Sequence, residues 1–180
     1  MLIESSRGFV MPEALMSAAL GALIMLGAGQ LISALQHASL RIFYKQGLEE
    51  DMQRLALTIG KSLQRAGYCR KVCAFEGLRI QEHENCVLIQ RDKRSGDGRE
   101  RIGYRLKQGS LETHGDTLSC VGKGWEKMTN PVELTITRFT VVRKERLPWP
   151  PLLTLRLEAR SGGRNAFSLS AESAISGFNL

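Results

Sequence analysis

Hydrophobic positions along the chain fall into three regimes. From Phe9 to Leu35 they are nearly continuous, FVMPEALMSAALGALIMLGAGQLISAL, with a single charge at Glu13. About 20 apolar residues at a 1.5 Å rise cover the hydrocarbon core of a bilayer, so this run predicts a membrane-spanning helix. A second regime has Leu48, Met52, Leu55, Ile59, Leu63 and Ala66 at spacings of 4, 3, 4, 4 and 3. That is the period of an amphipathic helix with one buried face. The chain turns polar after Gln36-His37 without losing the helical stripe, so the two regimes predict one helix of nearly 60 residues. Gly67, shortly after Arg65, is its expected stop. Gly27, Gly29 and Pro12 are the places where it is expected to bend, fray or kink.

The third regime alternates. Leu78–Ile80, Cys86–Arg91, Arg101–Lys107, Ser110–Thr113, Leu134–Arg143, Leu152–Ala159 and Phe167–Ala171 read as strands, LTITRFTVVR and LLTLRLEA most clearly. Lys107-Gln108-Gly109-Ser110 reads as a hairpin turn. Pro148-Trp149-Pro150-Pro151 is expected to separate two strands, because proline cannot donate to a ladder. One long helix followed by strands predicts an α+β protein in which the amphipathic stripe (36–67) lies on an antiparallel sheet. The expected divisions are a leader at 1–8, a membrane segment at 9–35, the amphipathic helix at 36–67 and a β-rich head at 68–180.

Composition changes this picture little. The chain has 180 residues and a net charge of +7. Signs are interleaved in KERLP, RDKRSGDGRER and GWEKM, so a mixed surface is expected and a nucleic-acid partner is not. The four cysteines, Cys69, Cys73, Cys86 and Cys120, all follow the apolar run. An even count in an exported domain predicts two disulfides. CRKVC fits neither a zinc-ligand pair nor a C-x-x-C redox motif. The pairing expected is Cys69–Cys73 with Cys86–Cys120; the alternatives tie Cys73 to Cys86 or to Cys120.

Candidate chemistry is sparse. His37, His83 and His114 stand apart, without metal-ligand spacing. No G-x-S-x-G elbow occurs. Asp92 to Glu100 carries three carboxylates among glycines, but Lys93, Arg94 and Arg99 intrude and the alternation of a calcium loop is missing. No enzyme activity, metal or cofactor is expected. Arg41 and Lys45 follow the membrane span, where they can meet lipid headgroups.

Glu13 is the residue that needs an explanation. A cleaved secretory signal has an apolar core of about 7–15 residues, shorter than this run. A plain anchor accounts for the length but not for the carboxylate, which in a membrane usually has a partner. Residues 7 to 13, R-G-F-V-M-P-E, resemble the cleavage motif of type IV prepilins. In that family cleavage follows a Gly, the next residue is commonly Phe, and Glu stands fifth in the mature chain. Gly8, Phe9 and Glu13 occupy those positions, and the eight-residue leader matches short-leader members. The leader departs mildly, since its one Arg is offset by Glu4.

The resemblance implies a pilin-like fold, cleavage between Gly8 and Phe9 by a membrane prepilin peptidase, and N-methylation of Phe9. It also implies that Glu13 pairs with the terminal amine of a neighbouring subunit. KSLQRAGYC, CVLIQRD, RIGYRLKQGSLET, GKGWEKMT and ISGFNL narrow it to a prepilin peptidase-dependent minor pilin-like family, related to the J-type minor pseudopilins of type II secretion. That implies a single-pass inner-membrane protein with a periplasmic head, partnered by other minor pilins and the major pilin. It would help to prime pilus assembly and sit in the filament or at its tip. The alternatives the sequence leaves open are a J-type minor pseudopilin of type II secretion and a tip module that binds DNA or a surface.

Overall fold

The computed structural model describes residues 11–71, 74–81, 85–93, 98–163 and 166–180. The chain divides into two compact units, one ending at Gln46 and one running from Gly47 to Leu180. Helix α1 (Met11–Gln64) supplies all the described structure of the first and opens the second. Gly27 and Gly29 leave it helical.

In the second unit α1 presents the expected stripe. Leu48, Met52, Ile59, Leu63 and Ala66 are buried, and Leu55 packs against them half-buried. Ala56, Gly60 and Ser62 widen this face, and their small side chains let β-structure come close. A Cβ on Gly60 would be 3.7 Å from Ile175 Cδ1. The chain leaves the helix at Gly67 with φ +76°, a conformation that costs glycine little. The Gly67 amide donates to the Gln90 carbonyl at 2.9 Å.

Among the described residues eight strands follow: β1 (Leu78–Gln81), β2 (Cys86–Asp92), β3 (Arg99–Lys107), β4 (Ser110–Gly115), β5 (Glu126–Lys127), β6 (Leu134–Arg146), β7 (Trp149–Ser161) and β8 (Ser168–Ser176). They form two antiparallel meanders, β1-β2-β3-β4-β5 and β6-β7-β8. The β3–β4 turn is Gln108-Gly109, both at positive φ (49° and 75°), as a tight hairpin matching strand twist requires. That turn also ties the sheets together, since the Ile136 amide donates to the Gly109 carbonyl at 2.8 Å.

One apolar core joins the helix stripe to both sheets. On β7, Leu153, Leu155 and Leu157 point in while Thr154, Arg156 and Glu158 point outward, the period-2 pattern of a strand covered on one face. The prolines depart from expectation. Only Leu147-Pro148 separates β6 from β7; Trp149, Pro150 and Pro151 belong to β7. The pairing runs Lys144↔Leu152 and then Arg146↔Trp149, so Glu145 faces both prolines across an irregularity. A bulge is where a strand tolerates residues that cannot donate.

Candidate functional site: the apolar segment and the head that it carries

The apolar segment of α1 is open along its length. Its most apolar 18-residue window has a mean hydropathy of 1.9, and none of it is buried. Leu15, Met16, Leu20, Leu23, Ile24 and Leu26 are among the exposed side chains. Such a surface is stable only in lipid or against other apolar helices. Glu13 lies in the first turn of the described helix, exposed. There the helix dipole favours a negative charge, and among the described residues no salt bridge is formed by the carboxylate. Gly8 and Phe9, the expected cleavage position, lie outside the described residues. His37, further along the same helix, is exposed.

In the head the chemistry is structural. Cys86 and Cys120 are joined, S–S 2.02 Å and Cα–Cα 6.1 Å, which pins the segment between β4 and β5 to β2. Cys69 is also disulfide-bonded; Cys73, its expected partner, lies outside the described residues. So do His83 and the middle of the Asp92–Glu100 loop. Among the described residues no cluster of His, Cys, Asp or Glu could hold a metal.

Beside the disulfide is a buried ion pair that strand pairing builds. The Gln108-Gly109 turn sets Arg105 opposite Glu112. Arg105 Nε donates to Glu112 Oε2 at 2.8 Å and Nη1 to the Cys120 carbonyl at 2.7 Å. The guanidinium stacks on Trp125, 4.2 Å from the ring centroid. His114 meets the same ring edge-on at 5.5 Å. Gly103 makes room for that indole: a Cβ there would come within 2.7 Å of it. The guanidinium and the carboxylate thus hold the loop, while the Trp125 indole Nε1 is buried without a hydrogen-bond partner among the described residues. The sequence reading passed over this pair, although its signal is visible: counting back from the hairpin turn places residue 105 across from 112.

A second pair, Arg91 Nε to Glu100 Oε2 at 2.7 Å, spans β2 and β3. The hydrogen bond from Arg91 holds the Glu100 carboxyl below its usual range, against the opposing effect of burial. Burial pushes the Tyr104 hydroxyl upward, partly offset by its bond to Ser62.

Comparison with known proteins agrees with this architecture. The family model described as prepilin peptidase-dependent protein B matches residues 42–177. The protein of that name from Escherichia coli K12 is 38% identical over 182 residues, covering 97% of each chain. A type IV-like pilin from Thermus thermophilus has a similar fold, with a TM-score of 0.58 at 15% identity; the match covers 74% of this chain and 98% of that one. The resemblance carried by R-G-F-V-M-P-E and by the later segments is thus borne out: a long apolar N-terminal helix leads into antiparallel sheets, the fold is pilin-like, and the chain belongs to the prepilin peptidase-dependent protein B family.

Proposed function

We propose that the chain is a minor pilin subunit that takes part in priming type IV pilus assembly and acts as a structural part rather than an enzyme. The observation that carries this reading is the pairing, in one helix, of a bilayer-length apolar segment with one carboxylate at its start and a folded head at its end. Before processing, the segment anchors the chain once in the inner membrane, with the leader inside and the head in the periplasm. Prepilin peptidase cuts after Gly8 and leaves an amine at Phe9, which is then methylated. The same apolar surface then packs among the helices of other minor pilins and the major pilin. Amine and carboxylate are each costly alone in that medium and acceptable as a pair, so Glu13 sets the stagger between neighbours. The name of the Escherichia coli relative, which records dependence on the peptidase, supports the processing step.

The test is the mature N-terminus. Chain isolated from cells containing prepilin peptidase is expected to begin at N-methylated Phe9 by mass spectrometry, and to begin at Met1 in cells lacking it. Cells deleted for this chain are expected to carry fewer pili although the major pilin is made. An uncut chain in peptidase-positive cells, or unchanged piliation in the deletion, overturns the reading.

A further inference from the structure

The end of the head where α1 stops is assembled from separate stretches of chain. The Gly67 amide donates to Gln90, and the Asp92 amide to the Tyr68 carbonyl at 2.8 Å. Leu180 packs there too: it would lie 3.2 Å from a Cβ on Gly67 and 2.9 Å from one on Gly177. The Gly177 amide in turn donates to Pro151 at 2.9 Å, so the β6–β7 turn and the C-terminus share this end with the end of the helix.

Around the turn between β6 and β7 the apolar side chains are exposed. Leu147 is 93% exposed, Trp149 71% and Phe178, next to Gly177, 67%. Charge surrounds this apolar point. Arg143 and Lys144 are exposed just below it, and Arg146 Nη2 donates to the Pro150 carbonyl at 3.3 Å. Glu145 is the one acid among them, paired to Arg143 at 2.6 Å. Exposed apolar side chains flanked by basic ones match the interface of an anionic bilayer, apolar below and negatively charged above. Indole rings favour the headgroup level, and basic side chains beside them reach lipid phosphates. A nucleic acid would use the charges and the indole but would leave Leu147 in water.

We propose that this hairpin tip docks on an anionic lipid bilayer, with Leu147, Trp149 and Phe178 entering the interface and Arg143, Lys144 and Arg146 contacting headgroup phosphates. The proposal does not depend on incorporation into a filament.

The test uses the full chain held by its own apolar helix in a dye-labelled nanodisc of zwitterionic lipid, mixed with separate vesicles and floated on a density gradient. Co-flotation with phosphatidylglycerol-containing vesicles is expected. Capture is expected to fall at least about fivefold, the worth of roughly one basic contact, with phosphatidylcholine vesicles or with Lys144→Glu. It is expected to vanish for Leu147→Asn/Trp149→Ser, whose exposed positions leave the fold intact by circular dichroism. Brominated lipid in the captured vesicle should quench Trp149 fluorescence. Equal capture of the double variant, equal capture by uncharged vesicles, or binding of DNA in place of vesicles overturns the proposal.

Discussion

The hydroxyls of Ser62 and Tyr104 lie 2.9 Å apart in the interior, one hydrogen bond joining α1 to the middle of β3. Both residues are buried. The bond is what allows a polar residue to lie on the helix stripe among Ile59, Leu63 and Ala66.

Replacing Tyr104 by Phe keeps the ring and removes the bond. Stability should fall by about 1–2 kcal/mol, the loss of a hydrogen bond plus a stranded serine hydroxyl. The variant also changes the alkaline limb. Burial raises the folded-state value of the phenol, so its contribution is fully present below the unfolded value and is lost as pH rises through the folded one. Denaturant titrations of the full chain in micelles, at neutral pH and above pH 10, should show a shallower alkaline loss in the Phe variant. An identical slope in the two proteins would refute the assignment.

The Arg105–Glu112 pair has both side chains about nine-tenths buried, at 9% and 10% exposure. Removing one partner strands the other charge, so Glu112→Ala should cost about 3–5 kcal/mol. Exchanging both for apolar residues of similar size should cost far less, because no charge is then left buried. The comparison to make is the single variant against the Arg105→Met/Glu112→Leu double variant, by denaturant midpoint. If the double variant is the less stable by the sum of the two single losses, the pair is not acting as a unit.

Glu100 gives the opposite pH signature from Tyr104. The hydrogen bond from Arg91 lowers its folded-state value, so its contribution is present above the ordinary carboxylate range and is lost as pH falls through the folded value. Glu100→Gln should flatten the acid limb between about pH 5 and pH 3. The effect should be modest, since the Glu100 side chain is 39% exposed and solvent screens the pair. Following the β-sheet circular dichroism signal against pH in the parent chain and the Gln variant checks this; identical acid limbs would refute the assignment.

The Cys86–Cys120 bridge closes a span of 34 residues. Chain-entropy reasoning puts a loop of that size at about 4 kcal/mol. Cys86→Ser/Cys120→Ser should therefore lower the denaturant midpoint, and protease should cut first in 116–125, where the loop loses its tie to β2. Cleavage elsewhere first would place the weak point outside this loop.

Much of this was legible in the chain, for physical reasons that differ by element. The stripe from Leu48 to Ala66 was readable because helix burial repeats every 3.6 residues and its members had to face the core. The β3–β4 turn was readable because Gln108-Gly109 has to adopt positive φ. Strand β5 was not: Glu126 and Lys127 carry no alternation, and they are a strand only because they pair with Glu112 and Thr113. The start of β7 was misread because proline's local veto on a ladder is lifted at a bulge, which only the register with β6 reveals. Arg105 and Glu112 were legible only as members of two strands. Their burial depends on Trp125 and Cys120 arriving from a later segment, and a tertiary meeting of that kind has no one-dimensional period.

Glu13 offers the sharpest test of the apolar segment. In the single chain it is exposed near the start of the described helix, and among the described residues it makes no salt bridge that its removal would disturb. A Glu13→Ala chain should therefore still insert, since losing a charge makes membrane entry easier. It should still be cut after Gly8, and its head should melt unchanged. What should fail is entry into filaments, because the Phe9 amine of the neighbour then has no counter-charge in an apolar surround. One unpaired charge there corresponds to about a hundredfold loss of incorporation. Sheared filaments and the membrane fraction, probed for the same chain, give that ratio. Glu13→Asp, which keeps the charge on a shorter arm, should recover part of it. Normal incorporation of the alanine variant would leave Glu13 without the register role, whatever the fate of the cleavage site.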